Sequence, residues 1–517
     1  MLSRVRKRRQ MKKVGLICVG LSLIAAVLYG YTLESEAAGE ILYASSCAQE
    51  EIQALIDQAE DGDTIVVPEG VCTWQTSTAN APAVLVSGKS ITLQGAGFDK
   101  TVIFDETGDL CFQEPLRVMD TDGFRITGFT FRGMKRRSSA EPAIKIENSN
   151  KNWRIDHVKF DGSDQEPETE GRGLMVGGTG VIDHSVFINV RQGVAVFGDG
   201  DASWERPLSL GTGEAVYIED CLFEYGEDRP NDGALDAYGG ARYVFRYNTV
   251  INARVGHHGL DSGGYRAPHS FEIYHNTITM TITNSWYATR YRGGTGIVFD
   301  NTFIGNFNEN ITIGVVYYRS CCEVSHTNCS NWGRCDANPD LFCSATWQPC
   351  ALDSDCPSGE TCSRILDGHL DETGYPCRDQ TGRTTDQDGD GIQDLAPLYE
   401  WGNTVNGNDA DISLNDPWSC ANPSMSDHLQ EGRDFYNDTQ MPGYTPYSYP
   451  HPLAVDSIDA DLNEDGEVDI LDLQLCVNVS LGKEIRPEVV NRADLNRDGE
   501  VNLEDVKMIG NVILGFS

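Results

Sequence analysis

Seven short segments share one rhythm of apolar and polar positions. They are RITGFTF from Arg125, RIDHVKF from Arg154, VIDHSVF from Val181, YIEDCLF from Tyr217, VFRYNTV from Val244, EIYHNTI from Glu272 and IVFDNTF from Ile297. The second position is always apolar (Ile126, Ile155, Ile182, Ile218, Phe245, Ile273, Val298). So is the seventh (Phe131, Phe160, Phe187, Phe223, Val250, Ile278, Phe303). Successive second positions stand 29, 27, 36, 27, 28 and 25 residues apart. A short strand recurring at that period predicts a solenoid. Each coil is too thin to bury its own core, so neighbours must stack. The fifth position becomes asparagine in the last three segments, at Asn248, Asn276 and Asn301. Stacked at strand spacing, these amides can bond one another up the coil. Cys221 holds the same place one coil earlier and reads as a buried thiol.

Upstream, EEIQALIDQAEDGDTIVVPEG predicts an amphipathic helix followed by a strand, the helix capping the open end of the solenoid. KSITLQGAGFDKTVI then reads as the first coil. Together these stretches resemble the pectate-lyase-like superfamily of right-handed parallel β-helices, over about Cys47 to Tyr318. That fold carries lyases, hydrolases, esterases, epimerases and inert spikes, so the resemblance implies a shape and no single activity. The later segments GYPCRDQTGR, APLYEWGNT and YTPYSYPHPL resemble the tail of a family of exported β-helix proteins.

The chain closes on a duplicated acidic loop. DLNEDGEVDILD runs from Asp461 to Asp472, and DLNRDGEVNLED from Asp494 to Asp505. Oxygen side chains occupy positions 1, 3 and 5, glycine position 6, and further oxygen donors positions 9 and 12. Hard oxygen ligands at this spacing fit Ca²⁺. An apolar-periodic stretch follows (Val501, Leu503, Val506, Ile509, Ile513). The pair resembles the dockerin module. The resemblance implies one Ca²⁺ on Asp461, Asn463, Asp465, Asp469 and Asp472, and another on Asp494, Asn496, Asp498, Asn502 and Asp505. It also implies a cohesin partner and display outside the cell, often on plant polysaccharide. Partner choice in that family depends on the residues after position 9, here Ile470-Leu471 and Leu503-Glu504 rather than Ser-Thr pairs.

The N-terminus reads as an export signal. RVRKRRQMKK precedes the apolar run Val14–Tyr31, and SEAAG offers small residues for cleavage. The run is also just long enough to span a bilayer uncleaved; cleavage is the favoured reading. The formal net charge is −38, and loss of the leader, with seven basic and two acidic side chains, takes it to about −43. Nucleic-acid binding is thereby excluded as an expectation.

Sixteen cysteines in an exported chain predict disulfides. Nine fall between Cys321 and Cys377, with Cys420 nearby, which predicts a small stapled insert whose cysteines pair among themselves. DQDGDGIQD follows and places Asp386, Asp388, Asp390 and Asp394 in a third Ca²⁺ loop, resembling a thrombospondin type 3 repeat. The expected fold is mainly β: a right-handed parallel β-helix solenoid with a disulfide-rich insert and a small α-helical calcium-binding dockerin domain. The expected boundaries are a signal peptide over 1–38, the β-helix over 39–319 and the insert over 320–385. The calcium loop takes 386–394, the C-terminal part of the β-helix domain 395–455 and the dockerin 456–517.

Candidate chemistry concentrates in three coils. GALDAYGG and HGLDSGG align on Leu235 and Leu260, with YATRYRGG one coil later. If the leucines point inward, Asp236, Asp261 and Arg290 stack on one outward ladder, while Met175 and Ala195 fill the matching place in earlier coils. Asp232, Arg242, His257, His258, Arg266, His269, His275 and Arg292 lie around it. His275 alone reads as a packed strand histidine. Two enzymatic readings follow. In a lyase, the carboxylates hold Ca²⁺ against a uronate and an arginine takes the adjacent proton. In a glycosidase, two carboxylates about 5 Å apart act as acid and nucleophile. His257 or His258 serves either scheme. The structural alternative is an ion-pair ladder on a non-catalytic surface or adhesive β-helix anchored through its dockerin. The favoured function is a secreted polysaccharide-degrading enzyme held outside the cell through cohesin binding.

Overall fold

The computed structural model describes residues 39–517. It leaves out 109–112, 136–141, 168, 228–232, 260–265, 283–286, 308–312, 316–340, 344–348, 351, 366–378, 388–392, 415–428, 455–461, 464–467, 485, 494, 496–500 and 515–517. Residues 1–38, including the expected signal peptide, lie outside the described part.

From Ile41 onward the chain winds through three long sheets of twelve, eleven and ten strands. Each sheet takes one strand per coil. Ile126, Ile155, Ile182, Ile218, Phe245, Ile273 and Val298 pair in parallel register along the twelve-stranded sheet. Phe131, Phe160, Phe187, Phe223, Val250, Ile278 and Phe303 do the same in the eleven-stranded one. Parallel neighbours joined by crossovers close right-handed. This is a right-handed parallel β-helix, as the repeat predicts.

The seven-residue motif spans one corner of the coil. Its fourth residue takes the left-handed conformation: His157 (φ 50°), His184 (47°), Asp220 (53°), Tyr247 (55°), His275 (55°) and Asp300 (51°). Asp and His tolerate that region better than most residues, and Gly128 takes it freely at the same place. A bend there interrupts the ladder, and the fifth residue repairs it. The Nδ2 of Asn248 donates to Asn276 Oδ1 (3.1 Å), Asn276 to Asn301 (2.9 Å) and Asn301 to Asn403 (2.8 Å). Each Oδ1 also accepts the backbone N–H at the fifth position of the coil before. Asn276→Ala leaves several buried polar groups unpaired and is expected to cost ~3 kcal/mol or more. Chemical denaturation of the purified protein measures it; an unchanged midpoint would show that the ladder is incidental.

The core is built from the inward residues, with Phe160, Phe187 and Phe223 stacked at centroid spacings of 5.0 and 4.6 Å. The helix Gln49–Gln58 closes the first coil with Ile52 and Ile56 fully inside, and Cys47–Cys72 ties this cap down. Cys221 is a buried free thiol. A second apolar layer lies outside the twelve-stranded sheet, where Tyr217, Tyr274, Phe299 and Ala454 are buried together. Arg246 fixes it. The guanidinium is fully buried against Glu219 and donates to the carbonyls of Tyr447 and Ser448 (2.9 and 2.8 Å). The tail segment YTPYSYPHPL is thus a strap on the solenoid.

The insert holds a three-stranded antiparallel sheet, Leu341–Cys343, Pro349–Cys350 and Cys362–Ile365, with a Cys343–Cys356 disulfide. Its expected end at 385 is too late. Asp379, Gln380, Thr381, Arg383 and Thr384 are buried. Asp379 receives a bidentate fork from Arg266, so this stretch belongs to the β-helix. Near the C-terminus, helices Ile470–Ser480, Pro487–Ala493 and Leu503–Leu514 enclose a small core of Leu462, Cys476, Val479, Val489, Ala493 and Ile509.

Candidate functional site

The ten-stranded sheet carries the predicted ladder, with a changed register. Val194 pairs with Leu235, and Leu235 with Val255; all three point into the core. The residues after them form the outward column: Met175, Ala195, Asp236, Gly256, Arg290, Gly314 and Ser413. Met175, Ala195, Asp236 and Arg290 stand where the sequence places them. The rung between Asp236 and Arg290 is Gly256, whereas the sequence alignment assigns it to Asp261. The coil closes five residues sooner than the Leu-Asp match implies, because Val255 supplies the inward side chain. A Cβ on Gly256 would lie 2.8 Å from the Arg290 carbonyl oxygen and 3.2 Å from its Cβ, so that tight rung favours glycine. Asp261 and Asp232 lie outside the described residues.

Asp236 sits at the centre of a relay across neighbouring coils. Its Oδ1 is 2.6 Å from His258 Nδ1. Its Oδ2 accepts from Gln192 Nε2 at 2.9 Å, and Gln192 Oε1 accepts from Arg172 Nε at 2.6 Å. Burial pushes the Asp236 carboxyl up. The charge and hydrogen bond of His258, with the charges of Arg172 and Arg290, outweigh it and hold the group below the usual carboxylate range. Asp236 is only 5% exposed and Arg290 8%, so neither is open to solvent as the sequence reading expects. His258 is the accessible member, its side chain 30% exposed. With Nδ1 committed to the carboxylate, Nε2 is the ring atom left for another partner. Arg172 and Gln192 were missed in the sequence. Their signal is a shared polar–Gly–apolar frame, Arg172-Gly173-Leu174 and Gln192-Gly193-Val194.

The other predicted residues separate. His257 is fully buried; its Nε2 accepts from the Arg292 backbone N–H (2.8 Å) and its Nδ1 faces Tyr243 Oη (3.1 Å). Burial lowers its pKa to about 3, so it is a neutral core residue. His269 is likewise buried and pushed down to about 3. His275 is exposed at its corner, not packed in a strand. Among the described residues, the outward column holds one carboxylate.

In the C-terminal loops, Asp472 and Asp505 are both fully buried. Asp472 accepts from the N–H groups of Asn463 (3.1 Å) and Asp469 (2.9 Å), and Asp505 from those of Leu495 and Asn502 (both 2.8 Å). The two copies share the contact from position 9, while the second N–H comes from position 3 in the first loop and position 2 in the second. Asp469 also caps the helix behind it through the Leu471 N–H. Asp461, Asp465, Asp494, Asn496 and Asp498 lie outside the described residues, as do Asp388 and Asp390 of the third loop. Asp394 Oδ2 there accepts from the Gln387 N–H at 3.0 Å.

A family model described as "Dockerin type I domain" matches residues 459–514. The chain carries a type I dockerin domain. Ahead of the dockerin stands a right-handed parallel β-helix, as its own three sheets show. Among solved structures, an alginate lyase from Paenibacillus sp. str. FPU-7 is similar at 17% identity and TM-score 0.34, over 52% of this chain and 97% of that one. A PL6 family polysaccharide lyase from Pseudopedobacter saltans is similar at 11% identity and TM-score 0.34, over 79% and 97%. The A-module of a mannuronan C-5 epimerase from Azotobacter vinelandii gives 15% identity and TM-score 0.24, over 53% and 95%. No curated protein matches this chain. No helix among the described residues is long and apolar enough to cross a membrane.

Proposed function

We propose that this chain is a secreted polysaccharide-degrading enzyme that cleaves an acidic polysaccharide by β-elimination and is held outside the cell by its dockerin. The observation that carries the reading is the Asp236–His258 pair beside an outward column that, among the described residues, has arginine but no second carboxylate. Glycosidase chemistry asks for two carboxyl groups flanking the bond. Elimination asks for a base beside a carbon acidified by its carboxylate, and for cations to spread the charge.

In this mechanism Asp236 holds the His258 ring so that Nε2 presents its lone pair. Nε2 takes the proton from the carbon next to the uronate carboxylate. The electron pair forms the ring double bond, and the bond to the leaving glycosidic oxygen breaks. Arg290, on the strand Thr289–Tyr291, and Arg292, just beyond it, would supply the charge that offsets that of the uronate carboxylate. The leaving oxygen collects a proton from water.

The dockerin residues fit calcium. Position 12 of each loop is a buried carboxylate already drawn inward by two backbone N–H groups, and the donor set is all oxygen. Asp461, Asn463, Asp465, Asp469 and Asp472 would hold one ion, and Asp494, Asn496, Asp498, Asn502 and Asp505 the other. Bound there, Ca²⁺ would tie each loop to its following helix as a structural staple. Asp386, Asp388, Asp390 and Asp394 would hold a third. Cohesin would dock on the residues after position 9. Ile470 (64% exposed), Leu471 (58%) and Leu503 (65%) offer apolar contact there.

A panel of acidic and neutral polysaccharides tests the enzyme reading. New chain ends are expected from uronate polymers alone. Release from neutral glycans would favour a glycosidase, and no release from any would favour an adhesive β-helix.

A further inference from the structure

A groove of about 1080 Å³ follows the corner where the ten-stranded sheet passes the chain to the twelve-stranded one. That volume is at the upper end of small-molecule sites, about 300–1,000 Å³. Arg242 lines it. The half-buried Arg242 donates through Nη1 to Ser209 Oγ (2.6 Å). Through Nη2 it donates to the carbonyls of Ser203 and Arg206 (3.3 and 3.2 Å) and to His269 Nδ1 (3.0 Å). Every one of these acceptors is neutral. Its Nε is buried with no hydrogen-bond partner. Among the described residues no carboxylate comes within ion-pairing distance; Glu214 acts on it only at longer range, while Arg206 adds like charge. Arg154, Arg246 and Arg266, by contrast, each lie on a carboxylate. A desolvated cation without a counter-ion is costly unless an anion arrives to pair it.

The rest of the lining is polar and mixed in charge, with the Asp199 carboxylate paired to Arg206, and Glu214 farther from Arg242. Lys151 adds an exposed cation, and the half-buried Tyr447 ring gives an apolar face, backed by the buried His451 ring. Those two rings belong to the C-terminal strap, so the strap would gain a second use beyond covering the sheet.

We propose that this groove binds an acidic oligosaccharide, with Arg242 receiving an anionic group of the sugar, carboxylate or sulfate. The site is separate from His258 and does not depend on its role.

Calorimetric titration of the full chain in a His258→Ala background tests it without turnover. The probes are a uronate trimer, a sulfated galactan oligomer, a neutral galactose trimer and inorganic sulfate. At least one acidic oligomer is expected to bind and the neutral one not. Arg242→Gln should weaken binding at least ~10-fold, the loss of one charge-assisted pair. Lys151→Glu, an exposed change that spares folding, should weaken it several-fold. Uronate and sulfated arms identify which anion is preferred. Neutral and acidic oligomers binding alike, sulfate alone binding as tightly as any sugar, or Lys151→Glu and Arg242→Gln both binding as the parent would each overturn the proposal.

Discussion

Replacing His258 with alanine is expected to reduce cleavage of the true substrate at least ~10²-fold, the usual contribution of a positioned general base. A modest loss of thermal stability is expected with it, because the change leaves the buried Asp236 Oδ1 without its His258 partner. Imidazole added to the His258→Ala protein is expected to restore part of the rate. Asp236→Asn should lose a comparable factor with little change in KM, since its effect runs through the ring. An amide keeps the shape and the Gln192 contact, but it no longer supplies the negative acceptor that fixes the Nδ1 proton. His257→Gln behaves differently: it disturbs a buried network, so its loss should appear as a lower melting temperature. Equal activity in the His258→Ala and parent proteins would remove the site.

Chelating calcium is expected to unfold the dockerin and leave the β-helix standing. Each loop carries five oxygen side chains in its sequence, three or four of them carboxylates, and gathering them at one point would be tolerable only around a cation. An ion present at a thousandfold excess over its dissociation constant adds about 4 kcal/mol to folding. That is comparable to the whole margin expected of so small a core, six buried residues among those described. The segment 456–517 should therefore give a collapsed amide spectrum in chelator and a dispersed one on adding Ca²⁺. Asp465→Ala with Asp498→Ala should block the recovery. A dispersed spectrum in chelator, unchanged by Ca²⁺, would show that the loops fold without metal.

Much of this architecture was legible because a solenoid repeats its decisions. The inward positions, the asparagine ladder and the capping helix each recur or stand beside a clear period, and the structure follows them. The fourth rung, Asn403, stayed hidden because 102 residues separate it from Asn301. The insert hid another join. Asp379 and its neighbours fall by sequence in the cysteine-rich insert, yet they are buried against the β-helix, where Arg266 and Gln393 satisfy Asp379. At the site, identity misled: two Leu-Asp pairs looked like one rung. The actual rung is Gly256, which has no side chain to announce itself. The adjacent histidines could not be told apart until the register was fixed, after which strand alternation sends His257 inward and leaves His258 at the surface.

The most direct test of the central claim is the chemistry of the product. Full-length protein with Ca²⁺ should be incubated with a uronate polymer, and the new non-reducing ends followed by ultraviolet absorbance and proton NMR. β-Elimination predicts an unsaturated uronide at each new end, formed in step with the reducing ends and absent with His258→Ala. Reducing ends that appear without the double bond would contradict it.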